Sequence, residues 1–341
     1  MLIGTLAFAL ATAAVLLLAG IAYEKHGVRQ DRRKYLPPGR LVGVGDRRLH
    51  IHETGTGEPA VVFESGLVSS SLSWSPVQEI VARTTRAISY DRAGIGWSDQ
   101  TRQPRTVASM VDDLATALKV SGNPHPYVLV GHSFGALLAR SYASTRSEEV
   151  AGLVLVDPVS LDMWADCTSE NERRLHLGAR LARRGVLLAN LGIVRLALTA
   201  LSSGKTHLPK AIGKASAGRV MGTLGRLVGV VQKLPASLRP SVQSHWSQAK
   251  SFRALAESLE VLPQCAAQVR QMAVPPNIPV TILSAASATP EELEERERWT
   301  KASLRGRHLR IADTGHWIQL EHPDQVATAV FDLLEYLRGG A

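Results

Sequence analysis

The chain has 341 residues, of which 45% are apolar and 20% charged, with a formal net charge of +9. That length allows one large domain with an insertion or two domains, and the apolar share supplies a core, which excludes disordered and low-complexity classes. Two cysteines, Cys167 and Cys265, form neither a zinc-ligand pattern nor a disulfide framework; the expectation is two unpaired thiols, with one bridge between them left open.

The first element is an uncharged run, Leu2 to Tyr23. As a helix it would reach about 33 Å, enough to cross a hydrocarbon layer of about 30 Å. Residues 1–24 are therefore predicted to be an N-terminal hydrophobic helix that anchors the protein in a membrane through residues 2–23. The alternative is a signal peptide, with secretion after cleavage, but no cation precedes the apolar run. Lys25, Arg29, Arg32, Arg33 and Lys34 follow it. By the positive-inside tendency they stay cytoplasmic together with the body of the protein, and the N-terminus lies outside.

"YLPPGRLV", 35–42, reads as a linker stiffened by paired prolines. "RLHIHETG" alternates as a half-buried antiparallel strand does, and "AVVFES", 60–65, suits a buried strand. "RAISYDRAGIGWSD", 86–99, is a strand that ends in a glycine-rich turn, and "TVASMVDDLATALKVSG", 106–122, is a helix with a glycine stop. "YVLV", "GHSFG" and "ALLARSYAS" read as strand, turn and helix. Further strands are predicted at 150–158, 278–285 and 307–313, and a closing amphipathic helix at 323–339. Continuous apolar strands alternating with helices imply a mostly parallel sheet flanked by helices on both faces.

The block 159–272 has helical stretches and no strand pattern, and it carries most of the excess positive charge. It reads as an all-helical cap inserted into a core made of 36–158 and 273–341. Its cations fit solvated helix faces, or attraction to an anionic membrane surface or an acidic substrate. Nucleic acid is not expected as a partner, because no recognition motif or aromatic platform accompanies the charge. The sequence leaves the oligomeric state open.

"GHSFG" fits G-x-S-x-G: Ser133 sits on a tight strand-to-helix turn, with Gly131 and Gly135 admitting neighbouring chain. The turn lifts the hydroxyl above the sheet edge, where the amides of the following helix stabilise negative charge. A serine needs a base to become a nucleophile. His316, just after the last strand and before the closing helix, is placed to lean over that edge. His132 shapes the turn; His125, His245, His308 and His322 have surface or structural roles.

The set "VVFESG", "SYDRAGIGWSD", "VLVGHSFG", "LVLVDP" and "TGHWIQLEHP" resembles the α/β-hydrolase superfamily over roughly 40–160 and 275–340. The resemblance implies a Ser–acid–His triad in that chain order, with Ser133 as nucleophile and His316 as base. Many relatives carry the acid after the strand that here reads "VTILSA", where this chain offers only Glu291 and Glu292. Others carry it one strand earlier, where Asp157 stands; Asp157 is preferred, with Glu291, Glu292 and then Asp162 as alternatives. The oxyanion hole would use the backbone amides of Phe134 and Leu67, although relatives usually have His-Gly where this chain has Ser65-Gly66. Asp91 and Arg92 would hold the neighbouring loop, and Trp74, Trp97 and Trp317 are core or pocket wall.

The implied activity is hydrolysis of a carboxylic ester or thioester through an acyl-enzyme, with no metal and no organic cofactor. The substrate would be a small-molecule ester or acyl compound, and the apolar stretch "GVLLANLGIVRLAL" hints at a lipid-like one. Alternatives are an acyltransferase or a cofactor-independent enzyme on the same triad, and a non-catalytic binding protein. Haloalkane dehalogenase chemistry is disfavoured because those relatives carry Asp at the nucleophile position.

Overall fold

Eight strands form one sheet in the order β1-β2-β4-β3-β5-β6-β7-β8. They are β1 (Arg40–Val44), β2 (Arg47–Thr54), β3 (Ala60–Glu64), β4 (Ala87–Tyr90), β5 (Tyr127–His132), β6 (Val150–Val156), β7 (Val280–Ala285) and β8 (Gly306–Ile311). The computed structural model describes residues 2–202 and 231–339. The β1–β2 and β2–β4 pairs are antiparallel, as expected for "RLHIHETG", although Leu49, His50 and Ile51 are buried in succession; the other pairs are parallel. This is the α/β-hydrolase arrangement that the sequence predicts.

Because side chains alternate along a strand, each central strand supplies two cores. Val62, Leu129, Leu153, Leu155 and Ile282 face α3 (Val107–Val120) and α4 (Phe134–Thr145) through Leu114, Leu118 and Leu137. Val61, Val128, Val130, Val154, Val156 and Leu283 face α2 (Ser75–Val81) and the closing helix (Pro323–Gly339). Two fully covered faces explain why these strands read as unbroken apolar runs. The start of α3 is fixed by a capping box: Thr106 accepts from the Ser109 amide, and Ser109 accepts from the Thr106 amide.

The linker expectation for 35–42 holds only in part. Arg40–Val44 is strand β1, paired on the sheet edge, so Leu41 and Val42 belong to the sheet. Residues 35–39, which include the paired prolines and Gly39, are the short break between β1 and the first helix.

Between β6 and β7 the described residues contain only helices: α5 (Leu161–Ala165), α6 (Ser169–Asn190), α7 (Ile193–Ser202), α8 (Arg239–Trp246) and α9 (Ala249–Arg270). The part of the expected cap at 203–230 lies outside the described residues. Two compact units emerge. The larger is Pro37–Leu177 with Glu257–Ala341; the smaller is Met1–Leu36 with Gly178–Ala256. The first helix, α1 (Leu2–Lys34), thus belongs with the inserted helices. Its apolar part lies within the one helix, among the described residues, that is long and apolar enough to cross a membrane. Cys167 and Cys265 are free thiols, the latter buried.

Candidate active site at the carboxyl edge of the sheet

Strand β5 ends at His132, and α4 begins at Phe134, so Ser133 must reverse the chain alone. It does so at φ 53, a left-handed conformation that costs a non-glycine residue on the order of 1–3 kcal/mol. Both flanking glycines are required by contact. A Cβ on Gly135 would collide with the carbonyl oxygens of Glu64 and Ser65, and one on Gly131 would lie 2.6 Å from the Ala136 Cα. The Ser133 amide donates to Val156 O at 3.0 Å, which ties the turn to β6.

Asp157 immediately follows β6 and is also left-handed, at φ 40. Its amide donates to Leu283 O at 2.7 Å. The carboxylate is buried and has two differently occupied oxygens. Oδ2 lies 2.6 Å from His316 Nδ1. Oδ1 accepts from the Ala285 amide at 3.1 Å and from the Arg296 guanidinium at 2.9 Å. Burial pushes the carboxyl up, but the hydrogen bond from His316 and the Arg296 charge outweigh it, and the group stays below its usual range.

The structure therefore brings Asp157 and His316 together across 159 residues of chain. Nδ1 of His316 faces a carboxylate, so the tautomer that leaves the Nε2 lone pair free is favoured. His132 positions the same loop: its Nε2 donates to the His316 carbonyl at 2.7 Å, and the two rings lie 4.6 Å apart. Burial and the nearby His316 pull His132 down to about 3, so it stays neutral and exchanges no protons. Trp317 joins the same ring cluster, 4.8 Å from the His132 ring and 5.6 Å from His316. Trp74, by contrast, is fully buried core against Phe63, and Trp97 packs on His50.

The alternative acids are elsewhere employed. Glu291 and Glu292 lie in the first turn of α10 (Pro290–Lys301), where Glu292 accepts from the Thr289 amide in a capping box. Asp162 is paired with Arg298 and lies near Arg270.

The expected oxyanion amides adjoin the elbow. A Cβ on Gly66 would sit 3.8 Å from the Ser133 Cβ, which places the 65–67 loop beside the base of the Ser133 side chain. Arg92 clamps this loop: its guanidinium donates to the carbonyls of Ser65 at 2.6 Å and Leu67 at 2.9 Å, and also to Gly66 O and Glu64. In a trans peptide N–H opposes C=O, so holding Gly66 O turns the Leu67 amide away from Arg92. Among the described residues neither the Leu67 nor the Phe134 amide has a hydrogen-bond partner. Asp91 braces the adjoining turn by accepting from the amides of Ser71 at 2.7 Å and Trp97 at 3.0 Å. Sequence reasoning assigned Arg92 to the loop and missed Arg296. The latter sits in the highly charged stretch "EELEERERWT", where no local signal marks it as buried.

A family model described as the alpha/beta hydrolase fold matches residues 59–323. The chain belongs to the alpha/beta hydrolase fold family. It is 36% identical over 118 residues to the Bacillus subtilis protein YqjL, a match covering 35% of this chain and 45% of that one. It is 29% identical over 118 residues to a 2-(acetamidomethylene)succinate hydrolase of Mesorhizobium japonicum, covering 35% and 42%. Each of these two relatives is thus matched over less than half its own length. A Pseudomonas aeruginosa structure assigned to the epoxide hydrolases superposes with a TM-score of 0.67 at 18% identity, covering 88% of this chain and 96% of that one. That likeness is one of fold. Membership in the alpha/beta hydrolase family supports a hydrolase.

Proposed function

We propose that this protein is a serine hydrolase that cleaves a carboxylic ester or thioester through an acyl-enzyme. The observation that carries the reading is the His316–Asp157 hydrogen bond at the carboxyl edge where the strained Ser133 turn also stands. In the proposed cycle Ser133 Oγ attacks the carbonyl carbon and His316 Nε2 takes its proton. The amides of Phe134 and Leu67 stabilise the oxyanion. Collapse expels the alcohol or thiol, which leaves with the proton from His316. Water then attacks the acyl-enzyme, giving its proton to His316, and the acid is released as Ser133 regains its hydrogen.

The nucleophile argues for an acyl substrate over an epoxide. A serine that opened an epoxide would form an ether, which this acid–base pair gives water no way to cleave. A serine ester is hydrolysed by the same machinery in reverse. The site is expected to need no metal.

The same proposal includes membrane anchoring through α1. Residues 3–19 are exposed and uncharged, while Glu24 and Gly27 of the same unbroken helix are buried. A helix packed in its second half is better explained as a retained anchor than as a leader to be discarded.

A fluorophosphonate probe and p-nitrophenyl esters of increasing chain length test the reading. The expected result is covalent labelling and ester turnover, both abolished in Ser133→Ala. Labelling that persists in that variant, or turnover that does not fall by at least about 1000-fold, would overturn it.

A further inference from the structure

The 33 residues of α1 change character at one point. Up to Ala19 every described side chain is exposed. From Gly20 onward, Gly20, Ile21, Glu24, Gly27, Val28 and Asp31 turn inward, at the three- and four-residue spacing of one helix face. What this stripe packs on is the turn between α6 and α7. A Cβ on Gly20 would collide with the Leu191 carbonyl, and one on Gly192 would lie 2.9 Å from Tyr23 Cδ1. One turn further along, Arg195 of α7 crosses Gly27 and pairs with Glu24 at 2.8 Å and Asp31 at 2.6 Å. These three side chains are largely buried. Helix α1 is therefore no loose stalk; it is locked to the α6–α7 turn where its lipid-compatible segment ends.

That lock fixes a depth. Residues 3–19 span about 26 Å as a helix, close to the hydrocarbon thickness of about 30 Å, so Gly20 and the turn against it fall at the membrane boundary. At this turn four large apolar side chains face outward: Leu187, Leu188, Ile193 and Leu196, at 64%, 42%, 48% and 61% exposure. Behind them on the exposed side of α6 stand Arg180 and Arg184, about 5–10 Å back along the helix axis. On α1 the exposed residues past the same level include Lys25, Arg29, Arg32 and Arg33. Apolar tips with cations one or two turns behind match the order of acyl chains and phosphate headgroups at a bilayer interface.

We propose that the α6–α7 turn is a second membrane contact. Leu187, Leu188, Ile193 and Leu196 insert beside α1 into the headgroup–acyl boundary of a lipid bilayer, and the smaller unit is seated on the membrane by α1 and this turn together. The inference rests on reading α1 as an anchor. Nitroxide labels on the full chain, reconstituted in vesicles of phosphatidylcholine with phosphatidylglycerol, test it. The labelled positions are Leu10→Cys, Leu188→Cys and Leu196→Cys, each in a Cys167→Ser background; all three are exposed, so folding is preserved. The expected result is a ratio of oxygen to water-soluble nickel collisions several-fold above that of free nitroxide in buffer at 10, 188 and 196 alike. A lipid-exposed label at 10 with nickel-accessible labels at 188 and 196 would overturn the second contact and leave the anchor intact. Nickel access at 10 would overturn the anchor itself, and this inference with it.

Discussion

Asp157 has two oxygens, and only one of them faces His316. The other is held by Arg296, which also donates to Ser284 Oγ at 2.8 Å and to the Pro158 carbonyl at 2.7 Å. Removing Arg296 would leave a buried carboxylate with one fewer charge-assisted partner, a loss of about 3–5 kcal/mol by the usual cost of breaking a buried pair. The expected outcome for Arg296→Met is that loss in urea unfolding, together with a fall in kcat of about tenfold or more and little change in KM. The acid assignment is checked beside it: Asp157→Asn should lower kcat by about 10,000-fold. Glu292→Gln should leave kcat within about twofold, and any effect should fall on stability through the helix cap, at about 1 kcal/mol or less. His132 supplies a pH test. Its native value of about 3 lies below the ordinary 6.5, so between these limits the unfolded chain binds a proton that the native chain refuses. Stability therefore falls as pH drops below about 6.5, by about 1.4 kcal/mol per unit from this group. Urea midpoints at pH 7 and pH 5 should show wild type losing ~2 kcal/mol more than His132→Gln over that interval. Ser133 and His316 were singled out in the sequence because Ser133 directly follows a buried strand and His316 lies on the loop after the last one, in the chain order the proposed triad needs. Arg296 was not, since its partner Asp157 is 139 residues away and its own neighbours are Glu295 and Glu297.

The elbow is the element that ties the site to the sheet, and it depends on two backbone approaches. Helix α4 begins directly on the end of β3, with Gly135 against the carbonyls of Glu64 and Ser65. Neither carbonyl can retreat freely, since Arg92 holds the loop from the far side. Gly135→Ala is therefore expected to cost about 3 kcal/mol, the upper part of the usual overpacking range, and to slow fluorophosphonate labelling even where the protein remains folded. Stopped-flow labelling and urea unfolding of the same variant separate the two effects. Elements with this much local punctuation were readable: β5, α3 and the closing helix begin and end near where glycines, caps and apolar periods place them. Two others were not. β1 follows Pro37-Pro38-Gly39, and its pairing with β2 is what makes it a strand. α10 carries so few apolar residues that its sequence gives no stripe; its helical state is set by the Thr289–Glu292 cap and by burial of Glu295 and Arg296.

At the scale of the whole molecule, the cations of the 159–272 block are expected on solvated helix faces or facing an anionic surface, and for Arg195 neither holds. Its guanidinium is inside the smaller unit, shared between Glu24 and Asp31. No local pattern reveals this, because the partners lie 171 and 164 residues away. The arrangement has a cost structure that can be measured. A buried pair contributes little over an apolar replacement, because desolvation offsets attraction, yet breaking it by removing one partner leaves a stranded charge worth about 3–5 kcal/mol. Arg195→Met strands two carboxylates at once. Hydrogen exchange of the full chain should then accelerate over residues 20–34 by about 100-fold or more, the equivalent of about 3 kcal/mol of local opening. Combining Arg195→Met with Glu24→Leu and Asp31→Leu should restore protection to near the wild-type level. If the triple variant exchanges as fast as the single one, the ion cluster is itself the source of stability. If the single variant is unaffected, α1 is held by packing, which includes the Gly20–Leu191 and Tyr23–Gly192 contacts. The comparison thus separates charge from close packing as what joins the apolar helix to the folded body.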